Sequence, residues 1–547
     1  MNGPRHRWPY ALAIVAVAVL AIPTSALAGA LSGANAPSSE LLAGVWWFKL
    51  LFLANAVLIV VLSRVGLTAG AAASSDPNPR SHRGFILAIA GLVAVGLALR
   101  LYELGNGLWF DEIQTLVWYV RRPIEQIVST FDTQNQHVLY SVFARASVVT
   151  FGESAATLRL PAALLGATSL WACYWFGVQI TSRREAILAA AFLTFSYHHV
   201  WFSQNARGYT GLLLGTLIAT TAFLKLLDRP TSRPWMWVSV YAGAMALTVY
   251  THVTGAFVAV GHAAALAGAM WQRRDRGLSL NEPGLVGLLL AAALSLQLYA
   301  LVLPQFMNTL TGSTVPVVQS EWKNPLWFVT EAVRGLARGI PGGVVTVLGG
   351  LIVATAGVWS FFRRDRKIAA VMIVPGLLLG TALLVMGHNL WPRFFFFAAG
   401  FAALIVMRGL HALAELVRQP KLGTAAAILM IVGSAATVPT AWNPKQDYES
   451  ASAFVDREHR PNDAVVTVDL TTLPYQAYYL RVWPAITSVD DLRRIESKHD
   501  TTWLLYTFPP SFSSVYPDIW QYVTNQYEEV ARFGGTLSGG EIVVVRR

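Results

Sequence analysis

The chain has 547 residues, 54% of them hydrophobic and 13% charged, with a mean hydropathy of +0.48. This excludes a soluble globular protein, because the apolar residues come in runs able to cross a hydrocarbon core, at about 20 residues each. The net charge of +11 does not indicate nucleic acid, since the basic residues alternate between loops, and the single cysteine, Cys173, excludes an internal disulfide.

Thirteen candidate spans are read in chain order near 10–30, 44–63, 84–102, 159–179, 186–202, 208–227, 234–252, 254–271, 284–303, 341–362, 368–387, 393–411 and 423–441. With the N-terminus inside, the inner loops collect Arg5, Arg7, Arg64, Arg80, Arg83, Arg183, Arg184, Arg229 and Arg233. Further along they collect Arg273, Arg274, Arg276, Arg363, Arg364, Arg366, Lys367, Arg418 and Lys421. The outer loops are poorer in basic residues, which is the asymmetry the positive-inside rule demands. A multi-pass protein of the cell (inner or plasma) membrane is expected. Arg5 to Arg7, the following apolar run and Ala26-Leu27-Ala28 also fit a cleavable signal peptide, although an uncleaved span is preferred. Either reading leaves residue 31 outside.

The expected fold class is an all-α polytopic membrane protein with a small C-terminal α/β extracytoplasmic domain. Residues 1–83 form two leading spans and a linker, and 84–442 the main membrane module, with outer loops 103–158 and 304–340. Residues 443–547 form the α/β domain, with strands at Ala464–Val468, Trp503–Tyr506 and Ile542–Val545 and a helix at Tyr448–Arg457.

Four outer-face features stand out. Asp111 and Glu112 are adjacent carboxylates following the uncharged run Gly84–Leu99. Acids beside hydrocarbon are costly, so such a pair is read either as functional or as solvating a helix end. Adjacent carboxylates can share a proton or a metal, or divide the roles of base and positioner. Next, His137 opens an apolar stretch to Phe151 that is too short to span and reads as an interfacial amphipathic helix.

The third feature, Ser203-Gln204-Asn205-Ala206-Arg207-Gly208-Tyr209, sets an arginine among amides and a phenol; Arg207 either snorkels or binds an anion such as phosphate. The fourth, Asn389-Leu390-Trp391-Pro392-Arg393, gives Arg393 the same choice between interface anchor and anion ligand. His252, in Tyr250-Thr251-His252, also falls at an outer span end, and mid-span His262 reads as a packing residue. Loop 304–340, with Trp322, Lys323, Glu331, Arg334 and Arg338, is long enough to cover a cavity.

Taken in order, these pieces, with Phe151-Gly152-Glu153-Ser154, Leu158-Arg159-Leu160-Pro161-Ala162 and Pro392-Arg393-Phe394, resemble the GT-C membrane glycosyltransferases. The resemblance covers about residues 84–410 and is to the polyprenyl-phosphate-sugar-dependent group, including protein O-mannosyltransferases and lipid A aminoarabinose transferases. The chain departs from that group at Val138 and Leu139, where two prolines are common, and at Asn205, where Glu is common.

The resemblance implies an inverting transfer from a polyprenyl-phosphate sugar to a hydroxyl acceptor on a lipid, polysaccharide or protein, at the outer face. It assigns Asp111 as general base and Glu112 to positioning Asp111 or the acceptor. Arg207 and Arg393 would bind the donor phosphate, and His137, Tyr140, Gln204, Tyr209 and His252 would line the cavity. No metal ligand set and no cofactor are predicted; some relatives use a divalent ion beside the acidic pair, which leaves a cation at Asp111 and Glu112 open. The alternatives are a transporter or flippase for a lipid-linked sugar, which calls for charged or broken helices near the midplane, and a non-catalytic envelope scaffold.

Overall fold

The apolar runs fold as helices. The computed structural model describes residues 8–33, 36–67, 79–227, 232–272, 282–311, 321–340 and 342–547. The inner-loop residues Arg5, Arg7, Arg229, Arg273, Arg274 and Arg276, and part of loop 304–340, lie outside them. In chain order the helices begin with α1 (Trp8–Ala21), α2 (Thr24–Ser32), α3 (Ser39–Leu62) and α4 (Pro79–Leu101). The short α5 (Phe110–Thr115) and α6 (Ile124–Ile127) precede α7 (Val138–Phe151), the expected short amphipathic segment. The bundle continues with α8 (Ala155–Ile180), α9 (Arg183–Thr194), α10 (Tyr197–Ser203), α11 (Tyr209–Leu227), α12 (Pro234–Thr251) and α13 (Gly255–Gln272). It closes with α14 (Pro283–Tyr299), α15 (Leu303–Thr311), α16 (Pro325–Arg338), α17 (Gly343–Arg364), α18 (Arg366–Val385), α19 (Ala399–Leu416) and α20 (Pro420–Thr437).

Nine described helical segments are long and apolar enough to cross a membrane, and a tenth is reached by counting the bent pair α1–α2 as one. The chain is thus a multi-pass membrane protein, but the count of thirteen is not reached, for local reasons. α1 and α2 meet at 88°. Pro23 follows the break, and the buried Lys49 of α3 donates to the Ile22 carbonyl and, at 3.1 Å, to Thr24 Oγ1. The expected span at 186–202 is broken between α9 and α10. There Ser196 caps α10, and the fully buried Arg100 donates to the carbonyls of Leu193 (3.2 Å) and Thr194 (3.4 Å). α12 and α13 have 18 residues each, and their Trp, Tyr, Thr and His content keeps them less apolar.

Beyond α20, the helix α21 (Tyr448–Glu458) leads into a four-stranded sheet of β1 (Ala464–Thr467), β2 (Thr502–Tyr506), β3 (Glu528–Phe533) and β4 (Ile542–Arg546). The order is β1-β2-β4-β3, with β1 parallel to β2 and the other pairs antiparallel. β3 escapes a sequence reading because Glu528 to Phe533 is half-exposed and half charged. This region shares one core with the loops after α4: Tyr448, Ala451, Val455, Trp503 and Leu505 pack with Leu108, Ile113, Leu116, Val120, Tyr140 and Ala144. The sheet therefore rests on the segment that carries Asp111.

Candidate active site

Trp109 starts α5 from an extended conformation, and its backbone N–H donates to Glu112 Oε2 at 3.3 Å, closing the first turn. This sends the two carboxylates in different directions. Glu112 is fully buried: Oε1 accepts from Arg159 Nε (2.7 Å) and Ala206 N (2.7 Å), and Oε2 accepts from Arg159 Nη2 (2.5 Å). Arg159 spends its remaining donors on the carbonyls of Leu104, Asn106 and Gly107 at 2.6–3.1 Å. Burial alone would raise the Glu112 carboxyl, but Arg159 and Lys445 outweigh it and hold it below the usual carboxylate range. Asp111 instead keeps 13% of its side chain exposed, and its Oδ2 lies 3.3 Å from Arg393 Nη1.

The loop after α10 supplies the second arginine. Arg207, 2% exposed, donates to Thr115 Oγ1 (3.0 Å) and the Asn135 carbonyl (2.5 Å), and its Nη2 lies 3.0 Å from His137 Nε2. Thr115 Oγ1 in turn donates to the Asp111 carbonyl at 2.8 Å. Among the described residues no carboxylate pairs with Arg207, and the Nε atoms of Arg207 and Arg393 are both buried without a partner. Gly208 N donates to His137 Nδ1 at 2.8 Å. Burial, with Arg207, His252 and Arg393 adding to it, pushes His137 well below its ordinary value, so the ring is neutral near pH 7. His137, Tyr209 and His252 form one aromatic group, with ring centroids 4.6–5.6 Å apart. Arg393 lies over the Trp391 ring at 4.8 Å, and Trp391 meets Trp322 and Trp327 from the segment that leads into and opens α16 at 4.7 and 5.7 Å.

The structure thus brings together Asp111, Arg207, Arg393, His137, Tyr209 and His252. Three expectations need correction. Tyr140 does not line a cavity: its hydroxyl donates to the Leu158 carbonyl at 2.6 Å inside the shared core. Gln204 is buried and holds the Arg100 and Tyr102 carbonyls at 3.2 and 2.5 Å. Glu112 has no free oxygen with which to touch an acceptor, since Arg159, Ala206 N and Trp109 N occupy both. A divalent ion shared by Asp111 and Glu112 does not suit this donor set, since it would have to displace Arg159. Among the described residues no cluster of three His, Cys, Asp or Glu side chains could hold a metal.

Several residues were missed. Arg159 reads in the sequence as a charge opening a span, and its partner 47 positions earlier cannot be seen there. Lys445 and Gln446, in the linker after α20, gave no signal. Yet Lys445 Nζ donates to the Gln204 carbonyl (2.6 Å), and Gln446 Oε1 accepts from Phe110 N (3.0 Å). Burial, with Arg159 beside it, pushes the Lys445 ammonium down to about 7.

Residues 136–300 match the family model described as Dolichyl-phosphate-mannose-protein mannosyltransferase. The chain thus resembles the polyprenyl-phosphate-sugar-dependent membrane glycosyltransferases, as its ordered motifs imply. No curated protein sequence is significantly similar to it. Among solved structures it is similar to ArnT from Cupriavidus metallidurans bound to undecaprenyl phosphate, at 13% identity and a TM-score of 0.49, covering 84% of this chain and 97% of that one. It is also similar to the oligosaccharyltransferase of Archaeoglobus fulgidus with Zn and sulfate, at 11% identity, TM-score 0.44, and 83% and 72% of the two chains. Arabinosyltransferase EmbB from Mycobacterium smegmatis follows at 12% identity, TM-score 0.41, and 78% and 46%.

Proposed function

We propose that the chain is an inverting glycosyltransferase that moves a sugar from a polyprenyl-phosphate donor to a hydroxyl acceptor at the extracytoplasmic face. The observation that carries this reading is a partly open carboxylate, Asp111, touching one arginine beside a second whose buried charge has no carboxylate partner among the described residues. A buried cation without a counter-ion is costly. A phosphate monoanion or dianion supplies the missing charge, and an arginine fork suits its oxygens.

In this reading the acceptor hydroxyl gives its proton to Asp111 as its oxygen attacks the anomeric carbon. The bond from that carbon to the phosphate oxygen breaks, and the polyprenyl phosphate leaves with the electron pair. Arg207 and Arg393 neutralise the charge developing on it. Arg393 has a double part. It is paired with Asp111 at 3.3 Å, and drawn toward a phosphate it would leave that carboxylate free to meet the acceptor. Access to the base would then depend on donor binding. Glu112 and Arg159 hold the α5 turn so that this exchange happens at a fixed place.

The transporter reading expects charged or broken helices near the midplane. Among the described residues broken helices occur at α1–α2 and at α9–α10, and at the latter Arg100 is occupied by carbonyls, Ser203 and His199. It sits in the last turn of α4, not at its middle. The test is direct: purified protein in nanodiscs, given a panel of radiolabelled polyprenyl-phosphate sugars with host membrane extract as acceptor. Transfer with release of polyprenyl phosphate supports the enzyme. Movement of intact lipid-linked sugar between leaflets without release would replace it with a flippase.

A further inference from the structure

The segment Asn443–Gln446 leaves the last membrane helix and enters the sheet region, and on the way it passes beneath both halves of the site. Asn106 Nδ2 donates to the Trp442 carbonyl at 2.8 Å, fixing where the segment starts. Lys445, 5% exposed, reaches the Gln204 carbonyl at 2.6 Å and lies over the Trp201 ring at 5.1 Å, so it holds the loop that carries Arg207. Gln446, 1% exposed, points the other way. Its Oε1 accepts from Phe110 N at 3.0 Å, at the first residue of α5 and one before Asp111. Its Nε2 donates to Thr507 Oγ1 (3.1 Å) and the Gly540 carbonyl (3.2 Å), both in the sheet region.

The far side of the segment is pinned as well. Thr536 N and Leu537 N donate to the carbonyls of Pro444 (2.8 Å) and Lys445 (3.1 Å). The approach is so close that a Cβ on Gly535 would lie 2.2 Å from the Lys445 oxygen. The same turn accepts from Trp201 Nε1 at Thr536 Oγ1 (2.8 Å) and from Arg338 of helix α16 at the Thr536 carbonyl (2.5 Å).

We infer that Lys445 and Gln446 are positioning residues: together they act as a spacer, braced by the C-terminal sheet, that sets Asp111 relative to Arg207. The inference rests on the transferase reading of the site. It gives the C-terminal region a task in catalysis without any contact with substrate. The partly buried N–H of Phe110, once it loses its acceptor, costs the α5 turn its anchor, and small misplacements of a base lower the rate steeply.

The two neighbours hold different halves, so their loss has different signatures. In full-length protein in nanodiscs, Gln446→Leu is expected to speed amide exchange over residues 109–112 and lower kcat about tenfold or more, with undecaprenyl phosphate affinity unchanged. Lys445→Met is expected to weaken undecaprenyl phosphate binding through the Arg207 loop while leaving exchange at 109–112 near that of the unaltered protein. Thr507→Val, which leaves the segment itself intact, reproduces the Gln446 signature at smaller size should Gln446→Leu fold poorly. Unaltered exchange at 109–112 in both Gln446→Leu and Thr507→Val, or equal losses of rate and affinity in Gln446→Leu and Lys445→Met, would overturn the inference. The exchange result holds even if no sugar is transferred, so failure of the transferase reading is seen separately.

Discussion

Glu112 and Arg159 meet through two hydrogen bonds, Nε to Oε1 at 2.7 Å and Nη2 to Oε2 at 2.5 Å, with side chains 0% and 3% exposed. Removing one member of such a pair leaves an uncompensated buried charge, at a cost of about 3–5 kcal/mol. Glu112→Ala and Arg159→Met are each expected to lower thermal stability in detergent by that order. The double variant Glu112→Met with Arg159→Leu should lose clearly less than the sum. Melting curves of the three variants check this, and strict additivity would contradict a coupled pair.

The membrane module was legible because its signals are local. Apolar runs, basic loops and the short stretch after His137 each carry their meaning within about 20 residues. The residues that gather around Asp111 were legible for the same reason, as each lies at a span end or, for His137, at the start of the short interfacial helix. Tyr140 and Gln204 were misread because polar groups there satisfy nearby carbonyls, a distinction that depends on contacts 18 and more than 100 positions away. The pairing of Arg159 with Glu112, and the parts of Lys445 and Gln446, were invisible because only the folded chain brings them under α5. The broken helix at Phe195–Ser196 was read as continuous because Arg100, which caps it, sits on another helix.

Arg207 and Arg393 should each contribute to undecaprenyl phosphate affinity. Loss of a charge-assisted hydrogen bond is worth about 1.5–3 kcal/mol, which is roughly a tenfold to hundredfold rise in Kd. Arg393→Gln and Arg207→Gln are expected to show this by titration with undecaprenyl phosphate. Trp391→Ala should show a smaller loss, because it removes only the ring on which Arg393 lies.

Gly208 is required for close approach. A Cβ there would stand 2.7 Å from Thr251 Cγ2, 2.9 Å from the Thr251 carbonyl and 3.0 Å from His137 Nδ1. Gly208→Ala is therefore expected to cost about 1–3 kcal/mol and to displace Arg207, its neighbour. Thermal unfolding and undecaprenyl phosphate binding should fall together, in contrast to the Arg207→Gln variant, where affinity falls with a smaller change in stability.

The pH dependence follows from His137, which is held well below its ordinary 6.5. In acid the unfolded chain binds a proton there that the folded one refuses. Stability therefore rises with pH up to about 6.5 and falls as pH drops below it, by about 1.4 kcal/mol per unit for one proton. His137→Asn is expected to remove one proton's worth of slope between pH 5 and 6.5. Melting temperatures of the two proteins across that window provide the check, and parallel curves would contradict it.

In the proposed reaction Asp111 takes the proton while the arginines hold the phosphate. The most direct measurement compares the unaltered protein and Asp111→Asn, in nanodiscs, for sugar transfer from a polyprenyl-phosphate donor and for undecaprenyl phosphate binding. Transfer is expected to fall by at least a hundredfold, the lower range for loss of general base catalysis, while binding is retained or strengthened as Arg393 is released. Transfer at the unaltered rate in the Asp111→Asn protein would contradict it.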